Sequence, residues 1–317
     1  MFSLSPRHII QLPSAKALAV AISPDAALCA AGDRDGVIHI IDTESGQVLR
    51  KLRPHVEFVY TLAFNPDNGH LVSAGKDKSI REWDCKTGQF IKDYAGIFIS
   101  QGARTLGAQS FKPTTRSHKM TILSIALEKN GLMATGSQDT YVKFWKDGEP
   151  VRTYDWHRGP VTCVRFQPET NILFSASKDK DIRSWNDVNG ALIHKYTGHL
   201  AEIVGLEFMN RNDFVSVDAS GQVISWNVDS EKPVETIYDA QNRIQCATWI
   251  QAAQTLLLGF ENGTIQALQI NDPNSKINSC FSCAQHNINV RCIQATNSGL
   301  AASCDNAGKV ILWNYSA

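Results

Sequence analysis

The stretch "GKDKSIREWD" (75–84) passes through a polar turn into a short apolar segment closed by Trp83. That closing segment recurs as "IHIID" at Ile41, "VKFWK" at Trp145, "IRSWN" at Trp185, "VISWN" at Trp226, "IQALQ" at Leu268 and "VILWN" at Trp313. Successive closing residues lie 42, 62, 40, 41, 42 and 45 positions apart, so seven repeats share a period near 42, with one insertion of about twenty residues. A fixed period of this size marks a repeat architecture.

Each unit reads as strands. "VYTLAF" (59–64), "VTCVRF" (161–166) and "IVGLEF" (203–208) alternate and are rich in β-branched and aromatic residues. Pro-Asp or Pro-Glu turns follow several of them, as in "SPD" (23–25), "NPD" (65–67) and "QPE" (167–169). A second apolar strand ends near Ser or Thr, a turn leads to the third, and a short fourth follows, such as "VLRKL" (48–52), "FIKDY" (90–94) or "LIHKY" (192–196). Four short strands per unit of this length is the pattern of β-propeller blades.

At 317 residues the chain could hold one large domain or two ordinary ones, and the repeats that run through it favour a single domain over residues 1–317. Hydrophobic residues make up 43% and charged residues 20%, enough for a sizeable core. Lys+Arg and Asp+Glu both number 31, so no global field steers the chain toward nucleic acid or an anionic membrane, although a local patch remains open. No signal-peptide run and no membrane-length apolar stretch is present, which points to an intracellular protein, cytoplasmic or nuclear. Of eight cysteines only Cys280 and Cys283 are close, and a lone C-x-x-C is a weak metal signal, so reduced, mostly buried thiols and no metal are expected.

These residues resemble the WD-repeat (WD40) β-propeller family, whose blades carry Gly-His and Trp-Asp dipeptides. Both dipeptides occur in full only at Gly198-His199 and Trp83-Asp84, but the underlying pattern covers essentially the whole chain. The resemblance implies an all-β, seven-bladed propeller of four-stranded antiparallel blades. It also implies that the strand "RHIIQL" (7–12) completes the last blade, where "VILWNYSA" (310–317) leaves no fourth strand.

A Ser-His-Asp set suggests a nucleophile until its neighbours are examined. His55, Ser73, Asp77 and Trp83 recur as His118, Thr135, Asp139 and Trp145, and again as His157, Ser175, Asp179 and Trp185. Repeat five keeps His199, Ser216 and Trp226 with Ser220 in the Asp slot; repeat seven keeps His286, Ser303 and Trp313 with Ala307 there. Repeats one and six lack both the His and the Trp. An active site is normally built once, so a constellation built repeatedly reads as construction. By resemblance it is a structural tetrad in which the indole N–H bonds the hydroxyl, the hydroxyl the His and the His the Asp. No G-x-x-x-x-G-K-[ST], H-E-x-x-H or G-x-S-x-G occurs. A non-enzymatic scaffold without cofactor is expected, monomeric as a propeller within a hetero-complex.

The resemblance also places partners on the face that carries the loops between second and third strands and between successive blades. Before the Asp position stand Arg34, Lys76, Gln138, Lys178, Ala219, Glu261 and Asn306. Three residues after the His position stand Lys16, Phe58, Thr121, Pro160, Glu202, Arg243 and Asn289; five after it stand Leu18, Tyr60, Leu123, Thr162, Val204, Gln245 and Arg291. Lys16, Arg34, Phe58, Tyr60, Lys76, Leu123, Gln138, Lys178, Arg243 and Arg291 are the favoured contacts. The excess of basic residues suits an acidic or phosphorylated peptide, and Phe58 and Tyr60 are the anchor types. The insertion "AGIFISQGARTLGAQSFKPTTR" (95–116) emerges on the same face, with Ile97, Phe98, Ile99 and Phe111 beside Arg104, Lys112 and Arg116. It reads as an interaction element, a lid over the channel or a disordered spacer. The alternative function is an RNA-associated propeller whose basic face contacts phosphates while an aromatic stacks on a base.

Overall fold

The computed structural model describes residues 2–13, 16–53, 55–94, 96–99, 110–113, 117–129, 131–240, 242–271, 277 and 280–316. Seven four-stranded antiparallel sheets follow one another along the chain. In blade 2, Val59–Phe64, Leu71–Gly75, Ile80–Asp84 and Gln89–Asp93 pair in that order. Blades 1, 3, 4, 5 and 6 begin with Ala17–Ile22, Ile122–Leu127, Val161–Phe166, Ile203–Phe208 and Ile244–Ile250, and blade 7 with Val290–Ala295. First strands of adjacent blades touch in an unbroken circle, the seventh returning to the first. The protein is a closed seven-bladed propeller.

Blade 7 takes its fourth strand from the other end of the chain: Ser3–Gln11 pairs with Lys309–Ser316, from Ser3 opposite Ser316 to Gln11 opposite Lys309. The strand starts four residues earlier than the apolar pattern indicates. Phe2 is buried and stacks on Tyr315 at 5.9 Å, which anchors the extra length despite the polar "SLSP". The register slips between Pro6 and His8, where proline has no N–H to give the ladder.

Burial explains the strand compositions. Second strands such as "LVSAG" are buried at every position, because both faces of a blade's middle are covered by its neighbours. Fourth strands lie at the rim and alternate, as in "EPVRTY". The core consists of inter-blade layers: Phe144 of blade 3 meets Val164, Leu173 and Trp185 of blade 4 in one cluster.

The first strands leave a free backbone edge around the axis, and side chains from the neighbouring blade occupy part of it. Thr162 Oγ1 donates to Ile203 O (2.7 Å), Gln294 Oε1 accepts from Ile22 N (2.6 Å) and Ser124 Oγ accepts from Val164 N (3.1 Å). The thiols of Cys163, Cys246 and Cys292 point at Leu206 O, Val290 O and Val20 O. Cys29, Cys85, Cys163, Cys246, Cys283, Cys292 and Cys304 are free thiols, and burial pushes those of Cys29 and Cys85 up to about 12. These thiols are packing groups of low reactivity.

One irregularity repeats seven times. Each first strand carries a β-bulge beside its first paired residue, leaving Leu18, Tyr60, Leu123, Thr162, Val204, Gln245 and Arg291 outside the ladder. A bulge re-aims the extra side chain.

Candidate functional site: the loop face

The strand order puts the turns between second and third strands on the same face as the connections between blades. On that face one backbone bond recurs in every blade. The N–H of Arg34, Lys76, Gln138, Lys178, Ala219, Glu261 and Asn306 donates to the carbonyl of Lys16, Phe58, Thr121, Pro160, Glu202, Arg243 and Asn289, respectively. The loop positions are therefore equivalent in all seven blades, including blades 1 and 6, which have neither the loop His nor the third-strand Trp.

Beneath this face lie the polar chains. In blade 4, Trp185 Nε1 donates to Ser175 Oγ (2.9 Å), Ser175 Oγ meets His157 Nε2 (2.9 Å), and His157 Nδ1 meets Asp179 (2.9 Å). A neutral imidazole satisfies every link, accepting the hydroxyl proton at Nε2 and donating Nδ1–H to the carboxylate. Burial pulls the imidazoles of His118 and His157 below their ordinary value, which favours that neutral form. In blade 3 the same chain runs through Trp145, Thr135, His118 and Asp139.

Two expectations are corrected. In blade 2, His55 bonds Ser73 (3.0 Å) and Asp77 (2.8 Å), but the buried Nε1 of Trp83 has no partner. Phe90 lies opposite Trp83 and packs against it edge-on at 5.1 Å, whereas Trp185 faces Leu192 and Trp145 faces Pro150. In blades 5 and 7 the acid is present, two residues before Ser220 and Ala307: His199 bonds Asp218 (2.9 Å) and His286 bonds Asp305 (2.7 Å).

The carboxylate also caps the following turn. Asp218 accepts from the N–H groups of Ser220 and Gln222, while Asp77 accepts from Ser79. Two placements serve this double duty. "DRDG" (33–36), "DASG" (218–221) and "DNAG" (305–308) put Asp first and a left-handed Gly last. "GKDK" (75–78), "SQDT" (137–140) and "SKDK" (177–180) put Asp third, with Lys78, Thr140 or Lys180 forced to positive φ. The D-x-x-G signature would have located Asp218 and Asp305. Burial pushes the Asp218 carboxyl up, but hydrogen bonds from His199 and Ser220 outweigh it and hold it at about 2.

Cations two residues before the Trp extend the chains. Arg183 bonds Asp179 and Asp181 (both 3.0 Å), and Arg81 bridges Asp77 (3.7 Å) and Asp93 (3.2 Å). In blade 1 the position holds His39, paired with Asp33 at 2.9 Å. The hydroxyls of Ser73, Thr135, Ser175, Ser216 and Ser303 are all 0% exposed, so none of these chains presents a nucleophile to solvent.

At the surface, blades 1 and 2 meet around Phe58. The Arg34 guanidinium lies 5.0 Å and the Lys76 ammonium 4.8 Å from its ring centroid, and the Tyr60 ring is 5.9 Å away. Lys76 also pairs with Glu57 (3.0 Å). One half-buried ring is thus shared by two cations from neighbouring blades. Across the face, exposed Lys178 is paired with Glu202 (2.7 Å), while Gln138 and Arg243 are exposed and Leu123 is half-buried. Sequence reasoning missed the apolar residues beside the His positions: Val56, Trp156 and Leu200 are 65%, 58% and 75% exposed. Their immediate adjacency to His55, His157 and His199 was the available signal.

The insertion contains an antiparallel hairpin, Gly96–Ile99 with Ser110–Pro113, that pairs Ile97 with Lys112 and Phe98 with Phe111. The β-branched and aromatic residues of "GIFI" favour that state over a plain loop. Arg104 and Arg116 lie outside the described residues. Among the described residues no cluster of metal-ligating side chains is found, and no helix is long and apolar enough to cross a membrane.

The family model for the WD domain, G-beta repeat, matches residues 6–42, 46–84, 110–146 and 148–186. A U3 snoRNP-associated protein-like protein of Arabidopsis thaliana is 25% identical over 88% of this chain and 61% of its own length. The Arabidopsis transcriptional corepressor LEUNIG homologue is 21% identical over 98% of this chain and 37% of its own. A guanine nucleotide-binding protein subunit beta of Nicotiana tabacum is 27% identical over 75% of this chain and 66% of its own. The chain thus spans less than two thirds of the length of each of these relatives. Propellers of this type generally serve as scaffolds for protein interactions. With four repeats matched by the family model and seven blades of one build, the chain belongs to the WD-repeat β-propeller family.

Proposed function

We propose that this protein is a non-catalytic scaffold whose loop face, around blades 1 to 4 and the 95–116 insertion, docks an acidic or phosphorylated peptide of a partner protein. The Phe58 cluster carries the reading: Arg34 and Lys76, from neighbouring blades, share one ring, and such pre-ordered cations lose little freedom on meeting an anionic ligand. The exposed apolar residues beside the His positions, Val56, Trp156 and Leu200, add the desolvated contacts that charge alone does not provide. The scaffold role is supported by the burial of every tetrad hydroxyl and by relatives named as snoRNP-associated protein-like and as a transcriptional corepressor. Those names also favour a site of action inside the cell, in the nucleus or cytoplasm.

The test is a tagged pull-down from native extract at near-physiological salt. It compares the unaltered chain with Arg34→Glu/Lys76→Glu and with a chain lacking residues 95–116. Partners lost in the charge-reversed variant support the reading; a partner set that survives both changes refutes it. The RNA alternative rests on the snoRNP relative. It predicts nuclease-sensitive partners and retention falling steeply with salt, whereas a peptide interface of mixed character responds far less.

A further inference from the structure

The seven bulged residues come together at the loop-face mouth of the axial cavity. That cavity, of about 910 Å³, is lined by the first strands of all seven blades. Around its mouth the bulges sort by character. Leu18, Tyr60 and Leu123 form an apolar arc on blades 1 to 3, and Thr162 and Val204 follow. Gln245 and Arg291 form a polar arc on blades 6 and 7. The Thr162 hydroxyl is committed to Ile203 O, so among the bulged residues the amide and charged groups are those of Gln245 and Arg291; exposed Gln138 and Arg243 line the same cavity from the loops.

Arg291 is under-compensated. Its Nε is buried without a hydrogen-bond partner, and its Nη1 reaches only Gln245 Oε1 at 3.4 Å. The acids on the cavity wall are engaged elsewhere or distant: Glu202 holds Lys178, Glu207 holds Arg165 at 2.8 Å, and Glu128 follows the first strand of blade 3, at the opposite end. A half-buried guanidinium that lines this cavity without a carboxylate partner is poised for one.

We infer that the channel mouth is a specificity pocket for an acidic side chain. Arg291 receives the carboxylate of a partner peptide, while an aliphatic neighbour in that peptide packs on Leu18, Tyr60 and Leu123. The mixed mouth favours such a peptide over a free anion, because inorganic phosphate leaves the apolar arc uncovered. The inference rests on loop-face docking as proposed above and specifies what enters the axis.

The experiment selects a phage-displayed random dodecapeptide library on the full chain and measures the recovered peptides by fluorescence anisotropy. Expected are peptides with Asp or Glu beside Leu, Ile or Val. Their binding falls at least about tenfold with Arg291→Gln. It falls also with Arg291→Lys, which keeps the charge but not the planar fork, at unchanged melting temperature, and inorganic phosphate competes only weakly. Peptides insensitive to Arg291→Gln but lost with Arg34→Glu/Lys76→Glu overturn the channel pocket and leave loop-face docking standing. Peptides insensitive to both overturn both. Selection without acidic enrichment, or full displacement by inorganic phosphate, also overturns the pocket.

Discussion

The unpartnered indole of Trp83 allows the polar chains to be weighed inside one molecule. Replacing Trp by Phe removes similar apolar volume at either site, since Trp83 is 8% and Trp185 1% exposed. At Trp185 the change also deletes the 2.9 Å bond to Ser175, a net loss of about 1 kcal/mol. At Trp83 it instead removes a buried donor that has no acceptor, a relief of about 1–3 kcal/mol that offsets part of the lost packing. Trp185→Phe should therefore be the less stable variant by about 2–4 kcal/mol. Urea unfolding followed by far-ultraviolet circular dichroism measures the difference. Trp145→Phe, Trp226→Phe and Trp313→Phe should group with Trp185→Phe, because their indoles bond Thr135, Ser216 and Ser303 at 2.7–2.9 Å. Equal losses at positions 83 and 185, or a larger loss at 83, would refute the reasoning.

Asp218→Asn should cost about 1.5–3 kcal/mol by weakening a charge-assisted bond to His199, and Ser220→Ala less than about 1, since Ser220 only supports that carboxylate; comparable losses would restore Ser220 to the acid's place. Acidification should destabilise the fold in two stages. His118 and His157 have folded-state values below the unfolded one, so their contribution is present at neutral pH and lost below about pH 6.5. The carboxyls of Asp77, Asp139, Asp179, Asp218 and Asp305 are likewise held down, so a second loss follows below about pH 4. A urea midpoint that rises on going from neutral pH to about pH 5.5 would contradict the first stage. Removing residues 1–12 should leave Lys309–Ser316 as an open sheet edge and produce oligomers in light scattering; a monomer with an unchanged melting temperature would show that the ring does not need its closing strand.

The blades were legible because a third-strand Trp at a steady period cannot easily arise from anything but repetition. Its hydroxyl partner stands ten residues earlier in every blade that has one, as Ser175 does before Trp185. The acid was harder to place, because two turn geometries deliver a carboxylate to the same imidazole and only one matches the spacing of the first three tetrads. The missing Trp83 bond is invisible to pattern. It depends on which side chain, Phe90 or Leu192, lies across the strand, and the motif does not encode that. The bulges leave no mark on strand composition, although counting from the His reached the right residues. The sharing of Phe58 by Arg34 and Lys76 arises between blades, where linear spacing carries no information.

The pairing of Ser3 with Ser316 has a temporal consequence as well. Every other sheet is assembled from strands that follow one another within a single repeat, so it can form as soon as that repeat has been synthesised. The seventh blade must wait until Lys309–Ser316 has emerged, holding Ser3–Gln11 unpaired until then. A contact of such sequence separation is slow to find. During that interval the nascent chain carries an exposed strand and an unmatched sheet edge, the features that make intermediates of large β proteins prone to wrong associations. Assistance during synthesis, more than the stability of the finished ring, would then set the yield of folded protein.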